Sequence, residues 1–158
     1  MIRYIFLCAL ALVGTTADAC SRKGGNPSLD ESLADADEVF LARLVSATEK
    51  SYRDGAELES YIEGSYRLIE ALKGKPARSG IVHDVPFGPG SCSLGLMVGW
   101  DYLFVVKRGE KPLSRWVGMF SGSFALGPYR DAEQADDEER DLVKVRKILN
   151  GQRETRKP

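Results

Sequence analysis

Cys20 follows Ala17-Asp18-Ala19, where a short apolar leader gives way to polar sequence, and that placement gives it unusual chemistry. Arg3 supplies a positive start. Residues 4–13 then form an apolar run of about ten residues, too short to span a bilayer as a helix. Ala17-x-Ala19 is the small-residue pattern after which a leader peptidase cuts. Residues 1–19 therefore read as a signal peptide, and the mature chain is expected to begin at Cys20. One residue then carries a free α-amine, its own carbonyl and a thiol.

The leader also resolves the cysteine count. Of the three cysteines, Cys8 leaves with the leader, so Cys20 and Cys92 remain. An even pair in an exported protein reads most simply as a disulfide. Closing a loop of that length stabilises by about 4 kcal/mol in the chain-entropy model, less any strain. The alternative is a lipoprotein acylated at Cys20. Lipid attachment favours a larger aliphatic residue three places before the cysteine, where this chain has Ala17, with acidic Asp18 next.

Other residue types capable of chemistry lack partners. His83 is the single histidine, which cannot build a metal site alone, and it reads as a surface strand residue. The acidic run over residues 131–141 lacks the glycine-turn spacing of a calcium loop and reads as a solvated helix N-terminus. Trp100, Tyr102, Phe104 and Trp116 suit a stacking platform for bases or sugars, but at strand spacing they read better as core or half-buried sheet residues. One histidine and no nucleophile-elbow pattern leave no Ser-His-Asp triad. The expectation is a protein that is not an enzyme and uses no cofactor.

Composition sets the remaining bounds. About 139 mature residues suit one domain with a real core. The formal net charge of −1 gives no reason to expect a nucleic-acid partner. No apolar run after the leader reaches the length of a membrane span. The chain reads as a secreted or periplasmic domain over residues 20–150, with 151–158 as a flexible tail.

Several elements must position Cys20 and Cys92. Residues 21–27 are polar and Gly-rich, and read as an extended arm or loop. Ser28-Leu29-Asp30-Glu31 is a capping box opening a short helix to about Asp37. Residues 39–46 are nearly continuously apolar, broken by Arg43, as in a strand with little exposed surface. Residues 50–60 read as a hairpin tip around Asp54-Gly55, and 61–72 as a second strand with a bulge or bend at Gly64. A turn at 73–76 leads to a third strand at 81–85, and the loop 86–91 delivers Cys92. Residues 96–98 and 102–106 form the next β segment, and 113–120 the fifth strand. Five short strands at this spacing favour a small closed barrel over an open sheet with exposed edges. Leu142, Val145, Ile148 and Leu149 mark a C-terminal amphipathic helix, with Gly151 at its cap.

The order of these features resembles a known family. A leader ends in Ala-Cys, a short helix follows, and then come Ala36-Asp37-Glu38-Val39-Phe40. Residues 66–72 lead into Lys73-Gly74, and Cys92 precedes Val98-Gly99 and Tyr102-Leu103. Together they resemble the netrin-like module, most closely the inhibitory domain of the tissue inhibitors of metalloproteinases and their bacterial relatives. The resemblance covers roughly residues 20–120 and implies an OB-type (oligosaccharide- and oligonucleotide-binding) five-stranded barrel flanked by helices. It implies that Cys20, pinned by a disulfide to Cys92, chelates a target protease's zinc through its α-amine and carbonyl. Catalytic zinc keeps an open position for water, and displacing that water removes the nucleophile. By the same resemblance Ser21 points into the target's substrate pocket, and Gly90 and Ser91 form the contact ridge beside Cys92. The expected partner is a zinc metalloprotease or, failing inhibition, another extracytoplasmic protein. The chain departs from the animal inhibitors at Arg22 and Ala34, where they carry further cysteines, and it has none after Cys92.

Overall fold

The computed structural model describes residues 26–88, 91–109, 115–128 and 132–155. Helix α1 spans Leu29–Asp35. The strands are β1 (Glu38–Asp54), β2 (Glu57–Lys73), β3 (Ser79–Asp84), β4 (Asp101–Val106) and β5 (Phe124–Gly127), and helix α2 spans Ala132–Glu154. Among the described residues the fold is mainly β: one antiparallel sheet in the order β3-β2-β1-β4-β5, with two α-helices.

Local chemistry explains the boundaries. The Ser28 hydroxyl accepts the Glu31 amide at 3.2 Å while the Glu31 carboxylate accepts the Ser28 amide at 2.8 Å, completing the capping box. The turn at Asp54-Gly55 lies where the sequence puts it, but β1 and β2 stay paired up to it, from Val39–Lys73 to Asp54–Glu57. Residues 50–60 are therefore a two-stranded ribbon. The β1–β2 register shifts three times, with Leu72 and Ile69 of β2 and Val45 of β1 as the extra residues, while Gly64 keeps its pairing with Ala47. A Cβ on Gly64 would come within 2.9 Å of both Leu44 and Leu96, so the glycine serves close packing there. Gly74 has φ +74°, and a Cβ there would sit 2.4 Å from the Asp37 carbonyl. Only glycine fits that turn.

Alternate residues of the central strands feed two cores. Val39 and Leu41 of β1 and Leu103 and Val105 of β4 pack under the helices with Leu33, Leu142, Val145 and Leu149. Phe40, Ala42 and Leu44 join Tyr66, Val82, Tyr102, Phe104, Val106 and Val117 on the other face. A sheet buried on both faces explains why β1 begins as an unbroken apolar run. The helix residues expected to pack on the sheet do so.

Four expectations need correction. The fifth strand lies at Phe124–Gly127, not at 113–120; that segment instead bridges Trp116 to His83 in parallel, and Met119–Ser121 forms a single 3-10 turn. Its backbone groups serve β3: the His83 amide donates to the Arg115 carbonyl at 3.0 Å, and the Val117 amide donates to the His83 carbonyl at 2.9 Å. Residues 96–98 are loop, because Leu44 bonds to Gly99 and Trp100 there. His83 is buried at 4% exposure, edge-on to Tyr61 and tilted against Trp116. Helix α2 continues through Gly151 to Glu154, where the Gly151 carbonyl accepts the Thr155 amide. In the sheet, β3 and β5 are the two edges, and the His83–Trp116 bridge spans from β3 to the segment ahead of β5.

Candidate functional site

Of the expected inhibitory edge, Ser91 and Cys92 fall within the described residues, whereas Cys20, Ser21 and Gly90 lie outside them, as does any Cys20–Cys92 pairing. The Cys92 loop is closely tied. The Ser91 amide donates to the Gly88 carbonyl at 3.0 Å, and the Gly88 amide returns a bond to the Ser91 hydroxyl at 3.0 Å. The Cys92 carbonyl accepts the Met119 amide at 3.1 Å. A Cβ on Gly118 would lie 3.2 Å from that carbonyl, so the Cys92 loop and the 3-10 turn touch through their backbones.

The anchor of this loop is Asp84, at the end of β3 and 0% exposed. Its Oδ2 accepts the Ser93 hydroxyl at 2.8 Å, the Leu94 amide at 2.8 Å and the Gly95 amide at 3.1 Å, while Oδ1 accepts the Val85 amide at 2.9 Å. Burial pushes the Asp84 pKa upward and outweighs the lowering by these four donors. Tyr102 holds the far side: its hydroxyl donates to the Gly95 carbonyl at 2.9 Å and accepts the Met97 amide at 2.7 Å. Two buried polar side chains from strand ends thus fix the conformation of residues 93–97. Sequence reasoning missed both. Asp84 sits in a run that reads as an ordinary strand end, and its partners are nine to eleven residues away.

Apolar surface continues from the loop. Phe87 is 85% exposed, and Met97 and Val98 are exposed as well. Phe87, Leu96 and Met97 line a groove of about 310 Å³ with Ala47 of β1 and Ile62 of β2. A separate cleft of about 470 Å³ lies between α1 and the 116–121 segment. Pro27, Glu31 and Asp35 form one wall, and Trp116, Phe120 and Ser121 the other.

A buried ion pair braces the seam. Glu38 is 2% exposed and meets Arg108 through Oε1 at 2.8 Å and Arg115 through Oε2 at 2.9 Å. The Arg115 contact lacks hydrogen-bond geometry, leaving Glu38 Oε2 and Arg115 Nε without a hydrogen-bond partner among the described residues. Arg115 also donates to the Tyr66 hydroxyl at 2.9 Å and lies over the Phe40 and Tyr66 rings. It does so at φ +82°, a left-handed conformation costly for a side chain with a Cβ.

Among the described residues, no group of three or more His, Cys, Asp or Glu side chains could hold a metal ion, and no helix is long and apolar enough to cross a membrane. Tyr102 and Phe104 are core residues, and Trp100 and Trp116 are half-buried, so these four aromatics form no open stacking platform. Neither the comparison with protein-family models nor that with curated proteins finds a match for this chain.

Proposed function

We propose that this chain is an exported netrin-like module that inhibits zinc metalloproteases through its N-terminal cysteine. In this reading the α-amine and carbonyl of Cys20 occupy the open position of the target's zinc, and a Cys20–Cys92 disulfide holds them there. Ser21 enters the substrate pocket, and Gly90 and Ser91 flank it. The protein is a stoichiometric binder with neither an enzymatic activity nor a cofactor of its own. We read the sheet as an OB-type barrel. The strand order and the His83–Trp116 bridge, which brings the edge strand β3 against the segment leading to β5, support that reading.

The observation that carries the proposal is the fixed Cys92 loop. A terminus can only present a chelating pair if its anchor is rigid, because a mobile anchor returns the ordering cost at binding. Here four hydrogen bonds to Asp84, two to Tyr102 and one from Met119 hold the loop. Pro27 shares a cleft with Phe120, next to the Met119 that bonds Cys92.

The test is a panel of zinc metalloproteases assayed with the mature protein and with a form carrying one extra alanine ahead of Cys20. The extension replaces the amine with an amide, a very poor neutral ligand, so inhibition should vanish while the fold survives. Equal inhibition by both forms overturns the chelation mechanism. A second reading rests on the exposed Phe87, Met97 and Val98: a module that binds another extracytoplasmic protein through this apolar surface without inhibiting it. Absence of inhibition by either form favours that reading.

A further inference from the structure

The β1–β2 pair has two unlike faces where it extends past its neighbours. β4 pairs with β1 only over residues 38–43, and β3 pairs with β2 only over 62–67, whereas β1 and β2 stay paired to Asp54–Glu57. Cross-strand partners share a face, and successive residues alternate between faces. One face satisfies itself: Lys50 meets Glu63 at 2.6 Å, and the Tyr52 and Tyr61 rings meet edge-on at 5.9 Å. The other carries three successive cross-strand pairs on alternate residues, Glu49–Ile62, Ser51–Ser60 and Arg53–Leu58. Glu49 and Arg53 are exposed, and neither has an ion-pair partner among the described residues. Leu58 is 70% exposed. Glu49 and Ile62 also line the apolar groove of Phe87, Leu96 and Met97.

This second face is complementary to itself. A two-fold axis through the Ser51–Ser60 pair, perpendicular to the strands, lays the same face of a second copy antiparallel on the first. Glu49 then opposes the second copy's Arg53, and Ile62 opposes its Leu58; symmetry supplies the reciprocal pairs. Charge meets opposite charge, apolar meets apolar, and two small serines at the axis let the backbones approach. Leu58 lies four residues from Ile62, about 13 Å along β2, so it reaches the other copy's groove and not its own.

We propose that this protein self-associates as a two-fold dimer through these faces, with Leu58 of each copy filling the apolar groove of the other. The inference rests on neither functional reading above. A foreign partner would have to bring the same alternation of charge and apolar side chains, whereas a second copy carries it by identity. The contact buries on the order of 1,000 Å² in total, the lower limit for a specific interface, so the dimer should be weak, with a Kd on the order of 10 µM.

Sedimentation velocity of the exported protein, over about two decades of concentration around that Kd, measures the association. Leu58→Ser should weaken it more than about tenfold, since one leucine per copy returns to water. Glu49→Arg and Arg53→Glu should each weaken it about tenfold, because each sets like charges opposite one another at two symmetric places. Mixed in equal amounts, these two charge variants should associate as strongly as the original protein, one offering a doubly basic face and the other a doubly acidic one. Such a rescue cannot come from misfolded chains, and all three side chains are exposed, so each variant should keep its melting temperature. A monomer at every concentration would overturn the dimer. Undiminished association of Leu58→Ser, or a mixture no more associated than its separate components, would overturn this interface.

Discussion

The Ser93 hydroxyl meets the Asp84 carboxylate at 2.8 Å, in a site from which solvent is excluded. This bond and its three backbone companions convert the loop after Cys92 from a flexible connection into a fixed support. Asp84→Asn should cost about 1–3 kcal/mol, because the amide group turns a donor toward at least one backbone N–H. The pH dependence has a definite sign. Burial raises the folded-state pKa of Asp84 above its ordinary 3.8, so the folded protein binds the proton more tightly than the unfolded chain. Its contribution to stability therefore grows as pH falls from neutrality through the raised value toward 3.8. Urea unfolding of both proteins at several pH values should show the deficit of Asp84→Asn widening on acidification. A deficit that narrows would mean that the donors, not burial, dominate.

Leu142, Val145 and Leu149 sit in one core with Val39, Leu103 and Val105, so α2 is part of the domain. Leu142→Ala should lower stability by about 2–5 kcal/mol. Deleting everything after Arg130 should abolish cooperative thermal unfolding. An unchanged melting temperature for the truncated chain would show that α2 contributes nothing to the core.

Glu38 and Arg115 brace the seam from inside. Removing one partner leaves a buried charge, so Glu38→Ala should cost about 3–5 kcal/mol. Arg108 is mostly exposed and should add little. Arg115→Ala removes both the pair and the contact with Phe40 and Tyr66, yet relieves nothing at φ +82°, since alanine keeps its Cβ. The double variant should be less destabilised than the sum of the two single ones, because neither then leaves an orphaned charge. Chemical denaturation of the full cycle measures that coupling, and strict additivity would show that the pair does not interact.

Much of the architecture was legible because its signals are local. The Ser28–Glu31 box, the Asp54-Gly55 turn and the spacing of Leu142, Val145 and Leu149 each lie within a few residues of chain. The errors share a different cause. His83 reads as a surface residue until the Arg115–Val117 segment folds over it, and the fifth strand was misplaced because those apolar residues spend their hydrogen bonds on β3 instead of β4. Asp84 was invisible as an anchor for the same reason. Its donors come from a loop whose approach depends on β3, β4 and the turn at Met119 being in place. Tertiary partners chosen across the sheet leave no periodic trace.

The chemistry proposed for the terminus depends on how the chain is processed. Cleavage after Ala19 should yield a mature protein that starts at Cys20 with a free amine and carries a Cys20–Cys92 disulfide. Intact-mass measurement of exported protein, before and after reduction and alkylation, tests both points at once. Alkylation after reduction should add two alkyl groups and no more, and reduction should lower stability by up to about 4 kcal/mol, the chain-entropy value for a loop of this length. Cys92→Ser should reproduce that loss while the Asp84 bonds persist, since those four bonds come from Val85 and residues 93–95. A diacylglycerol mass on Cys20 would instead establish a membrane-anchored lipoprotein, occupy the thiol that the disulfide needs, and end the case for a pinned, zinc-chelating terminus.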